Sequence, residues 1–179
     1  MAPDAQRWPG QTQRTTSSLL QTRVLYLTLY NILFAVLWAF VGITAILHAS
    51  EGKFVLFETI EPRARWIQTL TIIEVVHAAI GTSRPPPDNP STDQNPGVVK
   101  APVSTTAIQV FARVIQVWLI WYSFPASTAS SHAFLVLVLA WSLADSIRYL
   151  YLALNLHKKA PKALLWLRYV TFTLFAQRY

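Results

Sequence analysis

Apolar and polar positions alternate along this chain in long blocks, giving five oily runs separated by polar joints. Residues 24–47, VLYLTLYNILFAVLWAFVGITAIL, run 24 residues without a charge, when about 20 suffice for a helix to cross a bilayer core of about 30 Å. Residues 66–83, WIQTLTIIEVVHAAIGTS, form a second run of 18 that holds Glu74 and His77. A third run, 103–124, contains Arg113, and a fourth, 133–156, contains Asp145 and Arg148. The fifth, 163–176, has 14 residues and Arg168, which is short for a span. The pattern predicts an all-α fold, a multi-pass transmembrane helical bundle of about five hydrophobic helices over residues 24–179, with a charged loop at 51–65. No internal repeat is visible.

The joints read differently. Residues 1–23 are polar, carry Pro3, Pro9, Arg7, Arg14 and Arg23, and lack the short apolar core and small-residue cleavage site of a secretory signal. They are expected to be a disordered cytosolic tail. Residues 84–97, RPPPDNPSTDQNPG, hold five prolines and can neither continue a helix nor bury a core, so a flexible Pro-rich insertion is expected there.

Composition sharpens this picture. Of the 179 residues 53% are hydrophobic and 13% charged, against about 25% charged in soluble proteins. The seven Trp and seven Tyr suit the lipid–water boundary. The absence of Cys excludes disulfide frameworks, thiolate zinc sites and cysteine nucleophiles. The net charge of +7 comes from dispersed Lys and Arg, with no basic run beyond the pair Lys158 and Lys159, so no nucleic-acid partner is expected. No His pair has i,i+4 spacing and the five Gly form no phosphate loop; neither metal nor cofactor is expected. If the tail is cytosolic, that side carries Arg7, Arg14, Arg23, Arg84, Lys100, Lys158, Lys159 and Lys162, against Lys53, Arg63, Arg65 and Arg178 opposite. Eight against four favours a cytosolic N-terminus.

An Arg or Asp at the centre of a span costs about 2.5–3.5 kcal/mol to insert, so a span keeps one when neighbouring helices or a wet cavity can satisfy it. Glu74 and His77 share a helix face, as do Asp145 and Arg148, and Thr106, Gln109, Arg113 and Gln116 draw a polar stripe down the third helix. The candidate cavity residues are therefore Glu74, His77, Arg113, Asp145, Arg148 and its neighbour Tyr149. The structural alternative is that Asp145 and Arg148 neutralise each other and that Glu74 with His77 binds Arg113 between helices. Arg168 reads as an interfacial anchor, and Tyr26, Tyr30, Trp38, Trp118, Trp121 and Trp166 as packing or belt residues. The residues by themselves indicate a membrane protein with a polar cavity and no particular reaction. A transporter reading has only the intramembrane charges behind it.

Five motifs in order, YLTLYNILFAVLW (26–38), IIEVVHAAIGTS (72–83), STTAIQVFARVIQVW (104–118), WSLADSIRYLYL (141–152) and APKALLWLRYVTF (160–172), resemble the very-long-chain (3R)-3-hydroxyacyl-CoA dehydratases, the family also called protein-tyrosine-phosphatase-like. Phosphatase chemistry would need a cysteine. The resemblance implies six helices in the endoplasmic reticulum membrane, both termini cytosolic, and a lyase of fatty-acid elongation that converts a long-chain 3-hydroxyacyl-CoA to a trans-2-enoyl-CoA and water. It implies membrane lipid and other elongation enzymes as partners. The chain departs from the family pattern in three places. Asp145 stands where the family has Glu, 84–97 looks inserted, and Ala176 and Gln177 stand where the family's catalytic Tyr and following Pro belong, with no counterpart of its catalytic Glu before Tyr179. No catalytic residue is carried over, and this form is expected to be inactive by itself. The rival expectation is a non-catalytic membrane scaffold of the elongation machinery.

Overall fold

Helix α1 runs Pro9–Leu47, 39 residues, or about 58 Å at 1.5 Å per residue, far longer than a bilayer core. The computed structural model describes residues 9–80 and 103–176, so the expected insertion at 84–97 lies outside the described residues. The stretch 9–23, expected as a loose tail, instead continues α1 toward the N-terminus. Adding a turn to an existing helix needs no new nucleus, and Pro9 suits a first helical position.

The turn after α1 reverses at Gly52, whose φ of 110° and ψ of 152° suit a residue without a Cβ. Helix α2, Lys53–Leu70, then occupies most of the segment expected as a charged loop. The reason is an apolar stripe at helical spacing, Leu56, Phe57, Ile60, Ala64 and Ile67, all buried. Glu61, buried on the same face, is paired with Arg65 one turn on at 3.1 Å. Helix α3, Ile72–Ala79, follows after a one-residue break at Thr71, where Gln68 Nε2 donates to Thr71 Oγ1 at 2.8 Å and that hydroxyl donates to Gln68 O at 2.6 Å.

The chain resumes with α4, Val103–Ile115, whose last turns widen into a π-helical stretch, Gln116–Tyr122. Short α5, Pro125–Ser130, leads to α6, His132–Leu156, where Ser131 caps by accepting from Ala133 N at 3.2 Å. Helix α7 is Lys162–Ala176. All regular structure among the described residues is helical. Two stretches are long and apolar enough to cross a membrane alone, Gln21–Leu47 and His132–Leu156, while Ala107–Tyr122 is apolar but shorter.

The two long helices form the spine. On α1 the buried positions include Leu27, Asn31, Phe34, Trp38, Val41 and Ala45, a repeat of four and three that keeps one seam against a neighbour. On α6 they are Phe134, Val138, Ser142, Asp145, Ile147, Tyr149 and Ala153. The opposite face of α1 presents Leu29, Val36, Ile43 and Leu47 at 57–67% exposure. Polar groups inside and bare aliphatics outside are the arrangement of a chain solvated by lipid. This is an all-α membrane protein.

Where α1 and α6 come closest, a methyl group on Gly42 would lie 2.6 Å from Ser142 Oγ and 3.0 Å from its Cβ. Small residues let helices approach in lipid, where dispersion contact replaces the hydrophobic driving force. Gly42→Ala is expected to lower stability by about 1–3 kcal/mol, read as an earlier unfolding midpoint in mixed micelles. Adding Ser142→Gly should recover most of the loss, and an unshifted midpoint in the single variant would contradict the packing.

Candidate functional site

The charged side chains Glu74, Arg113, Asp145 and Arg148 join one polar seam. Asp145, buried on α6, meets Arg113 of α4 through Oδ2 at 2.6 Å and, more loosely, Arg148 one turn along its own helix at 3.7 Å. Arg148 in turn donates to Glu74 Oε2 of α3, and the Tyr149 hydroxyl donates to the other oxygen, Oε1. The order Arg113, Asp145, Arg148, Glu74 alternates in sign and sums to zero. This lets four ionisable groups share a low-dielectric interior without a net charge to solvate.

Rings close the seam on both sides. The Arg113 guanidinium lies 4.3 Å from the Trp141 ring centroid and 5.8 Å from that of Trp38, within cation–π range. Tyr149 packs on Phe34 at 5.3 Å. His77, one turn beyond Glu74 on α3, has Nε2 2.9 Å from the Tyr26 hydroxyl and stands edge-on to Tyr26 and Tyr30 at 5.4 and 4.9 Å.

Of the six residues singled out from sequence, Glu74, Arg113, Asp145, Arg148 and Tyr149 are brought into contact with one another, while His77, one turn from Glu74, meets Tyr26 and Tyr30. The pairing differs from the expected one: Glu74 serves Arg148 and Tyr149, while Arg113 is held by Asp145. Asp145 does not simply neutralise Arg148, since its shorter contact crosses to another helix. Of the stripe on the third helix, Gln109 is exposed and Thr106 lies outside the side chains described. Tyr26, Tyr30 and Trp38, read from sequence as packing or belt residues, and Trp141, which the sequence reading did not single out, border the seam. Arg168 stacks over the Tyr151 ring at 4.8 Å on the exposed side of α7.

Chemically, the seam is a brace. Both oxygens of Glu74 are occupied by donors and Asp145 is shared between two guanidinium groups, so neither carboxylate is free to take a proton from a ligand. Among the described residues no three His, Asp or Glu side chains gather where a metal ion could sit.

A family model described as "Protein tyrosine phosphatase-like protein, PTPLA" matches residues 94–175, which include α4, α6 and all but the last residue of α7. Over those residues the chain is similar to the PTPLA family. Similar proteins include a "Probable very-long-chain (3R)-3-hydroxyacyl-CoA dehydratase" of Schizosaccharomyces pombe, 34% identical over 152 residues, covering 84% of this chain and 65% of that protein. The Caenorhabditis elegans dehydratase hpo-8 is 35% identical over 82% of this chain and 61% of its own length. The Arabidopsis thaliana dehydratase PASTICCINO 2 is 36% identical over 85% of this chain and 62% of its own. The chain thus spans 61–65% of the length of these relatives. No solved structure matches it.

Proposed function

We propose that this chain provides the membrane core of a very-long-chain (3R)-3-hydroxyacyl-CoA dehydratase, a lyase that takes water from a 3-hydroxyacyl-CoA to leave a trans-2-enoyl-CoA. The observation that carries the reading is 34–36% identity to three proteins of that name across 82–85% of the chain. The physical demand agrees with it. Removing water needs a base for a proton on C2 and an acid for the departing hydroxyl, within an apolar slot that shelters the acyl chain. In this reading the seam from Arg113 to Glu74 holds α3, α4 and α6 in register around such a slot. The protein resides in the endoplasmic reticulum membrane with its N-terminus in the cytosol, and works beside other elongation enzymes. The experiment is direct. The full chain in phosphatidylcholine nanodiscs is expected to bind a long-chain 3-hydroxyacyl-CoA, followed by mass spectrometry of the retained ligand. Because Ala176 holds the motif tyrosine's place, no enoyl-CoA is expected to form. Absence of binding sinks the dehydratase reading, and turnover sinks the prediction of inactivity.

A second reading, a non-catalytic scaffold for elongation enzymes, is favoured by the same Ala176 and by the full occupation of Glu74 and Asp145. Co-purification with those enzymes, without acyl-CoA binding, would select it.

A further inference from the structure

The Tyr30 hydroxyl is closed off from solvent and has no hydrogen-bond partner among the described residues. Tyr30 lies within Gln21–Leu47, a stretch long and apolar enough to cross a membrane, where hydrocarbon offers no hydrogen bond in exchange. Its ring is well held, packing on Phe34 at 4.5 Å and meeting His77 edge-on at 4.9 Å. Phenylalanine would keep both ring contacts and spare the unmet hydroxyl, so packing alone does not account for a tyrosine here.

Its neighbours along α1 place this hydroxyl near an edge. Trp38, two turns further into the bundle, also has an indole N–H without a partner among the described residues, but the whole residue is 0% exposed, with the Arg113 guanidinium 5.8 Å from its ring centroid. Nothing reaches that group without opening the core. Tyr26, one turn the other way, is 50% exposed, and its own hydroxyl is engaged with His77 Nε2 at 2.9 Å. A ligand entering past Tyr26 therefore meets the Tyr30 hydroxyl before the enclosed core.

The surroundings decide what can satisfy it. The charges of Glu74 and Arg148 act on the Tyr30 hydroxyl with opposite sign and are paired with each other. An ionic group set down beside them would unbalance the seam, at the desolvation cost of a buried unpaired charge. A neutral hydroxyl would not. Tyrosine both donates and accepts, which suits a second hydroxyl in either sense, and the adjoining rings of Phe34 and Tyr149, 5.3 Å apart, suit the carbon chain that bears it.

We infer that the Tyr30 hydroxyl binds the 3-hydroxyl of a long-chain 3-hydroxyacyl-CoA and so sets the preference for hydroxylated over plain acyl chains. This rests on the dehydratase reading and adds to it a specificity residue, separate from the acid and base of the reaction.

The full chain in phosphatidylcholine nanodiscs is titrated with a long-chain 3-hydroxyacyl-CoA and, separately, with the acyl-CoA of the same length that lacks the hydroxyl, the retained ligand being counted by mass spectrometry. Wild type is expected to bind the hydroxylated form about tenfold more tightly, the worth of one hydrogen bond to a group otherwise left unpaired. Tyr30→Phe should bind both forms as wild type binds the plain one, with an unfolding midpoint in mixed micelles equal to or above that of wild type. Tyr122→Phe, a control on an exposed ring of the π-helical stretch, should keep the preference. Retention of neither acyl-CoA by wild type sinks the dehydratase reading and the role of Tyr30 together. Equal retention of both by wild type, or a preference that survives Tyr30→Phe, overturns the role of Tyr30 and leaves the dehydratase reading in place. A midpoint that falls in Tyr30→Phe would mean that the protein itself holds the hydroxyl, and overturns that role as well.

Discussion

Replacing Asp145 by leucine is expected to destabilise the bundle by about 3–5 kcal/mol, the cost of removing one partner from a buried ion pair. Asp145 is 4% exposed and is the carboxylate that holds Arg113, at 2.6 Å. Without it the guanidinium keeps only the faces of Trp38 and Trp141, and Arg148 keeps Glu74. The loss is thus concentrated on α4, which should detach first. Unfolding in mixed micelles, followed by tryptophan fluorescence, measures the total, and cysteines introduced on α4 and α6 report the separation. The double variant Arg113→Met with Asp145→Leu is expected to recover to near wild type or beyond, because two apolar side chains of similar bulk carry no desolvation cost. A single variant within about 1 kcal/mol of wild type, the range of an ordinary surface change, would mean that the seam does not hold the helices.

Trp121→Ala should cost about 3 kcal/mol. Trp121 is 1% exposed, stacks on Trp141 at 5.3 Å and meets Phe134 edge-on at 5.0 Å, so its removal opens a hole where the π-helical stretch, α6 and the core join. In lipid the transfer part of the usual penalty shrinks, since the separated helices also lie in hydrocarbon. The cavity part, about 24 cal/mol per Å³ of unfilled volume, persists. Trp118→Ala makes the contrast. That ring is only partly buried, and its Nε1 donates to Thr69 Oγ1 at 2.9 Å near the Arg65 guanidinium, so its loss should cost clearly less in the same assay. Equal losses would place the weight of the junction elsewhere.

Much of this was readable in the residues. The charge-free run ending at Leu47 and the run ending at Leu156 became α1 and α6, because a block of that length has no other low-energy state in lipid. The charges inside the spans marked the seam for the same reason, since an intramembrane Glu or Arg must find a partner. What spacing could not supply was which partner. Positions three or four apart report neighbours on one helix, so Asp145 read as belonging to Arg148, whereas its stronger contact crosses to Arg113. The segment 53–65 was hidden by its own polarity. Five charges and Pro62 resemble a loop, and only burial of Leu56, Phe57, Ile60 and Ala64 on a shared face makes it α2. The widening at Gln116–Tyr122 left no mark in the apolar pattern, because a π turn changes register without changing residue type.

The way Arg113 is satisfied also constrains how the molecule can be made. Asp145 follows Arg113 by 32 residues, about 2–6 s of synthesis at 5–20 residues per second. Through that interval α4 carries a lone guanidinium that favours the head-group layer over hydrocarbon. Helix α6 emerges with Asp145 and Arg148 already compensating one another and can enter directly. The order of membrane entry is therefore expected to be the reverse of the order of translation here, with α4 waiting at the insertion machinery for a counter-ion that the ribosome has yet to deliver.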